Sequence, residues 1–142
     1  MSRDYIPKAI RERVAVQAGH RCGYCLTSSL LVGSPFEIDH ILPESLGGTT
    51  EEDNLWLACP LCNGHKSNRI ASLDPLTGEE GRLFDPRRQV WSEHFAWTDA
   101  GDRIVGLTPT GRATVVALQL NRPVLVHARR AWVAVGWHPP KQ

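Results

Sequence analysis

Apolar positions first recur at helical spacing in PKAIRERVAVQA. Ile10, Val14 and Ala18 share one face, Pro7 sits at the first turn and Gly19 supplies a stop, so a helix is predicted over residues 7–18. HRCGYC follows directly. SLLVGSPFEIDHIL reads as short extended pieces broken by Gly33 and Pro35, PESLGGTTEEDN as a polar loop, and NLWLACP as a second short strand running into CPLC. NGHKSNRIASL has helical length and composition and stops before Asp74-Pro75. The centre thus reads strand, loop, strand, helix, with a cysteine pair at each outer edge.

The pattern changes beyond residue 75. DPLTGEEGRLFDPRRQ is turn-rich, and HFAWT and DRIVGLT read as strands around a turn at Asp99–Asp102. TGRATVVALQLNRPVLVHARRAWVAVGW reads as two helices hinged at Asn121, which is expected to cap the second, with Pro123 in its first turn. At 100° per residue Val124, Leu125, Ala128, Ala131, Trp132 and Val135 share one face of that helix. Arg122, Arg129 and Arg130 project on the other, as a face able to track a nucleic-acid backbone. Trp91, Trp97, Trp132 and Trp137 are assigned to core packing.

At 142 residues the expectation is a single α+β domain spanning 1–142, with a metal-braced core over about 20–72 and an extension over 73–142. The first residues, MSRDYIPKAI, contain no apolar leader stretch, and no apolar run is long enough to span a bilayer. A soluble, cytoplasmic protein without membrane partners is expected. Net charge is +1 but uneven: residues 1–75 hold seven Lys/Arg against nine Asp/Glu, and residues 76–142 hold nine against six. Eight of those nine are Arg, the side chain suited to bidentate phosphate contact.

In a reducing compartment Cys22, Cys25, Cys59 and Cys62 read as thiolate ligands rather than disulfides. Two CxxC pairs supply the four soft donors of a closed tetrahedral zinc site. Four thiolates leave no open position for catalysis, so the zinc is structural. The alternative, a redox dithiol, predicts no tightly bound zinc. The long gap between the pairs, 26–58, requires a folded unit inside it.

That gap holds FEIDHILPESLGG, where a strand ends in Asp39-His40. Neighbours on a strand face opposite sides, so the two side chains either have different tasks or form a turn-side hydrogen-bonding pair. Different tasks at one site would demand local distortion of the strand, with which Pro43 and Gly47-Gly48 are compatible. The order Asp39-His40, Asn54, then Cys59-Pro60-Leu61-Cys62-Asn63 with Lys66 following resembles the HNH endonuclease family over roughly residues 20–70, in particular its four-cysteine zinc-braced branch. The resemblance implies a two-stranded hairpin and a helix around one metal, the ββα-metal core. It implies His40 as general base, Asp39 and Asn63 as holders of a catalytic divalent ion, and Asn54 as the residue that orients the histidine.

Those roles make chemical sense. A neutral imidazole accepts a proton from water at cellular pH, and hydrolysis of a phosphodiester needs positive charge beside the phosphate. Oxygen donors from Asp39 and Asn63 suit Mg2+ or Mn2+. Asn54 and Asn63 have a second reading as helix or turn caps. His65 is read as a substrate-side or surface residue. Lys66, Arg69 and Arg21 flank the site as candidate phosphate contacts, the alternative being a solvated helix face. The expected partner is DNA, with RNA or a branched nucleic acid left open, and the chain is a monomer or a homodimer. The competing reading is a zinc-stabilised nucleic-acid-binding module without cleavage.

Overall fold

The computed structural model describes residues 5–141, which divide into two compact units. One comprises the chain up to Ile70 together with Asp85–Arg88; the other comprises Ala71–Phe84 and the chain from Gln89 onward.

In the first unit α1 (Lys8–Gln17) starts at Pro7 and stops before Gly19, which takes a left-handed φ of 62°. It buries Val14 completely, and Val14 packs with Ile6 and Leu55, joined by Ile10 and Ile38. Ser29–Val32 is one turn of helix, α2, instead of extended chain. The Ser28 hydroxyl accepts from the Leu30 N–H at 3.2 Å and Gly33 closes the turn in the left-handed region.

Strands β1 (Glu37–His40) and β2 (Leu55–Ala58) pair antiparallel, with Glu37 opposite Ala58 and His40 opposite Leu55. The ladder is regular through His40, so the expected strand distortion is absent; the bend comes afterwards, in 3-10 turns at Glu44–Leu46 and Glu52–Asn54.

Helix α3 (Pro60–Lys66) begins earlier and ends sooner than its composition suggests. The Cys59 sulfur accepts from the Cys62 N–H at 3.4 Å, Pro60 occupies the first turn, and Ser67 ends it with φ 53°. Asp85–Arg88 return to this unit. Arg87 lies over the Trp56 ring at 4.9 Å and donates to the Leu55 carbonyl, and Arg88 donates to the Asp53 carbonyl at 3.1 Å. These arginines clasp the hairpin backbone.

The second unit contains two more antiparallel hairpins, β3 (Ala71–Leu73) with β4 (Glu80–Arg82) and β5 (Phe95–Trp97) with β6 (Ile104–Gly106). Its helices are the single turn α4 (Trp91–His94), α5 (Pro109–Ala117) and α6 (Pro123–Ala134). Helix α5 approaches so closely that a Cβ on Gly111 would overlap the His94 carbonyl oxygen.

Two expectations about α6 are corrected. Arg129 lies on its buried face: it is 0 % exposed, its guanidinium sits over Trp97 at 5.1 Å, and Nη1 donates to the Asp102 carbonyl at 3.2 Å. Val124 and Val135, assigned to the packed face, are exposed. Arg130 is paired, its Nε 2.9 Å from Asp102 Oδ2. Asn121 does not cap α6; its amide exchanges hydrogen bonds of 2.7 and 2.8 Å with the backbone of Ile104, and Arg122 occupies the cap position.

Among the described residues no helix is long and apolar enough to cross a membrane.

Candidate active site

The four cysteines converge as their spacing requires. All four are buried, their sulfurs lie within 4.8 Å of one another, and Cys25 Sγ is 3.8 Å from Cys59 Sγ. Four sulfurs each ~2.3 Å from a common tetrahedral centre lie roughly 3.8 Å apart, so the cluster has the size zinc takes. Backbone geometry builds each pair. The first knuckle turns through Leu26, whose φ is 60°, with Leu26 N–H donating to the Cys22 carbonyl and Cys22 N–H to the Thr27 carbonyl.

Arg21 completes that turn by donating to the Leu26 carbonyl at 2.9 Å, and its partial burial lowers its pKa. Burial pushes the Cys22 thiol up, whereas hydrogen bonds from Cys22, Cys59 and Cys62 pull Cys25 down. Four thiolates packed together therefore need a cation to neutralise them.

Beside this frame the hairpin and α3 border an open cleft of about 1050 Å³, whose walls include Arg11, Glu37, Asp39, His40, Glu44 and Asn63. The alternation of β1 sorts them. Glu37 and Asp39 face α3, where Asn63 Nδ2 donates to Glu37 Oε1 at 2.8 Å and Lys66 Nζ lies 3.1 Å from Asp39 Oδ1. Ile38 turns to the apolar core, and His40 Nε2 lies 3.1 Å from Thr50 Oγ1 and 3.5 Å from Glu44 Oε1. Adjacent residues thus do take opposite sides, and both reach the cleft.

Asp39 is 4 % exposed, and both its oxygens are engaged: Oδ1 with Lys66, and Oδ2 with the Tyr24 hydroxyl at 2.6 Å. Burial raises its pKa against the opposing pull of Lys66 and Tyr24. Tyr24 is itself raised well above the ordinary phenol value by burial and by the Asp39 charge, so it stays a donor.

Lys66 is 1 % exposed; besides Asp39, its ammonium donates to the carbonyls of His40 at 2.9 Å and Ile41 at 3.1 Å. Three acceptors saturate its three protons. The expectation that Lys66 contacts phosphate is therefore corrected: it is an internal cation that ties the end of β1 to α3. Arg21 is likewise committed to the knuckle, while Arg69 is exposed and donates to the His65 carbonyl at 2.5 Å.

Asn54 is buried, but its amide does not touch the His40 ring. Oδ1 accepts from Leu42 N–H at 2.9 Å, and Nδ2 donates to the carbonyls of Leu42 at 2.9 Å and Thr49 at 2.7 Å. It closes the loop between the strands and so places Thr50, the residue that meets the ring. Gly48 completes the closure, because a Cβ there would overlap the Leu42 carbonyl oxygen. Asn54 acts on the histidine at one remove, which sequence order alone does not reveal.

Sequence reasoning passed over Tyr24, Glu37, Glu44, Thr50 and Arg11. Glu37 had a signal, standing two residues before Asp39 and hence on its face of the strand. Tyr24 and Thr50 had none, because their partners are distant in sequence.

The donors suit a hard ion in kind. Asn63 Oδ1 makes no hydrogen bond among the described residues, Glu37 is exposed, and each Asp39 oxygen keeps a second lone pair. The four cysteines are the one group of three or more His, Cys, Asp or Glu that converges on a common point among the described residues. A hard ion here would therefore depend on water and substrate oxygens for the rest of its shell.

The site thus combines a zinc-sized cysteine frame around a hairpin and helix with a histidine and carboxylates at a cleft. The family model for HNH endonuclease matches residues 22–69, roughly a third of the chain, and this segment is an HNH module. Its class is nuclease or nucleic-acid-related. Comparison with curated proteins and with solved structures found no match.

Proposed function

We propose that the chain is a metal-dependent endonuclease that hydrolyses phosphodiester bonds in DNA, with His40 as general base. The observation that carries this reading is the setting of His40. Its Nε2 is held by Thr50 and Glu44, while Nδ1 makes no hydrogen bond among the described residues and the ring borders the cleft. Donation of the Nε2 proton to Thr50, with the Glu44 carboxylate 3.5 Å away, leaves a lone pair on Nδ1, the atom able to take a proton from water.

Asp39 and Asn63, with Glu37 beside them, would hold a divalent ion of the Mg2+ or Mn2+ kind. When bound, such an ion supplies positive charge to the phosphate oxygens. The chain's own residues do the rest. Thr50 and Glu44 fix the ring, Asn54 fixes the loop carrying Thr50, and Lys66 fixes the His40 carbonyl. Zinc in the cysteine frame is structural.

The test is nicking of supercoiled plasmid by zinc-loaded protein, wild type beside His40→Ala, with Mg2+, Mn2+ or chelator. Nicking that needs the divalent ion and disappears in the variant supports the reading. An intact plasmid in every metal, with DNA still retarded on a gel, would leave a zinc-stabilised binding module.

A further inference from the structure

We propose that Arg11, on α1 and outside the HNH-matched segment, is the side chain that grips the phosphodiester backbone at the cleft; this rests on the nuclease reading. The cleft sets the need. Three carboxylates line it, those of Glu37, Asp39 and Glu44, and Arg11 is the sole Lys or Arg among its described lining residues. Lys66 offsets Asp39 from inside the fold, where it is 1 % exposed and cannot meet a ligand. A polyanion therefore enters against Glu37 and Glu44, and among the described residues of the cleft wall Arg11 is the cation left to receive it.

Its geometry suits the task. Arg11 is exposed, yet not loose: Nε donates to the Ile6 carbonyl at 3.0 Å, and α1 is anchored next to it through the fully buried Val14. That tether uses Nε. Both Nη groups make no hydrogen bond or ion pair among the described residues, leaving two parallel donors of the kind that match two phosphate oxygens.

The neighbouring cations are committed elsewhere. Arg13 pairs with Glu52 at 2.7 Å, Lys8 lies 3.7 Å from Glu12, and Arg21 serves the Leu26 carbonyl. Ile6 and Arg11 both border the cleft, so the tether holds the guanidinium between two residues of its wall. A side chain held in place loses less entropy on gripping a ligand than a free one.

The experiment uses the full zinc-loaded chain carrying His40→Ala, so that DNA stays intact. A short duplex DNA is titrated across salt concentrations, with Arg11→Gln, Arg11→Lys and Lys8→Gln added singly. Each phosphate contact contributes roughly 0.9 to the slope of log K against log salt. Arg11→Gln is expected to weaken binding about 5- to 20-fold and to flatten the slope by about one, with Arg11→Lys keeping the slope and Lys8→Gln matching the parent. In a separate nicking assay with His40 intact, Arg11→Gln should raise KM and leave kcat within about threefold.

A merely structural role for Arg11 would leave the slope alone and would not be rescued by Lys. An Arg11→Gln protein with the parent's affinity and slope overturns the proposal, as does a parent that shows no salt-dependent binding. Failure of the nuclease reading is seen separately, in a wild-type protein that binds DNA and never nicks it; a flattened slope in Arg11→Gln would then still support Arg11 as the backbone contact.

Discussion

Replacing Lys66 with Met tests the assignment of that lysine as an internal cation. Met conserves most of the volume and removes one buried charge, stranding the Asp39 carboxylate, 4 % exposed, with the Tyr24 hydroxyl as its remaining partner among the described residues. Breaking one side of a buried ion pair typically costs ~3–5 kcal/mol, since the orphaned charge stays desolvated. The carbonyls of His40 and Ile41 lose a donor as well. Against a total stability of roughly 5–15 kcal/mol this is a large fraction, and it corresponds to a fall in Tm of roughly 10–20 °C.

The assay is thermal melting of the zinc-loaded chain for wild type, Lys66→Met, Asp39→Asn and the double variant. The double variant removes both charges and should recover about 2 kcal/mol or more relative to the sum of the singles. DNA affinity of Lys66→Met, measured well below its Tm, should keep the wild-type salt slope. Additive singles, a Lys66→Met protein within about 1 kcal/mol of wild type, or a slope flattened by about one would each refute the internal-cation reasoning.

Three further outcomes are expected. Cys25→Ser, or zinc removal by a strong chelator, should unfold the first unit, because four buried sulfurs converge where no other group replaces the cation; circular dichroism with a zinc-release assay checks it. Asn54→Ala should lose about 2–4 kcal/mol, from three hydrogen bonds and the buried polar groups left behind, and should lower nicking kcat with DNA affinity retained; Gly48→Ala should act in the same direction through the Leu42 carbonyl. In the second unit the Arg112 guanidinium, bonded at 2.9 Å to each Asp74 oxygen, holds that carboxyl down to about 2. Since the folded pKa is depressed, its stabilisation is complete above the unfolded carboxyl value of ~3.9 and is lost as pH falls through about 2; the melting difference between wild type and Asp74→Asn should be flat near neutrality and shrink across that acid window.

What could be read in advance, and what could not, divides along physical lines. The hairpin β1–β2 and the cysteine frame were legible because both are encoded by spacing: alternation of two places Glu37 with Asp39, and each CxxC fixes a turn. The end of α3 was not, because residues 67–73 have acceptable helical composition. Ser67 turns left-handed and Ala71–Leu73 finds a partner in Glu80–Arg82 across a turn. Helix α6 was legible as a helix, but its buried face was not. A projection ranks positions by hydrophobicity, whereas Arg129 is buried because Trp97 offers a ring face and Asp102 a carbonyl, and neither lies near it in sequence. Lys66 misled for the same reason, since a lysine beside an active site looks like a phosphate contact until three internal oxygens are seen around it.

The site separates holding from acting, and this determines which variants inform on chemistry. Tyr24, Asn54 and Lys66 bond to Asp39 or to loop and strand backbone, so a change in any of them disturbs stability and rate together. His40, Glu37, Asn63 and Arg11 border the cleft and make few internal bonds, so their loss should alter rate or affinity while Tm moves little. Asp39 alone belongs to both sets, buried against Tyr24 and Lys66 yet exposing an edge to the cleft. An inactive Asp39 variant therefore cannot by itself assign an ion-binding role, because it also frees Lys66 inside the fold. The informative comparison is Asn63→Ala with Glu37→Gln, which leave that ion pair intact: loss of nicking in either at unchanged Tm would place the ion's oxygen donors on the open side of the hairpin. Full activity in both would remove the amide and the exposed carboxylate from the reaction.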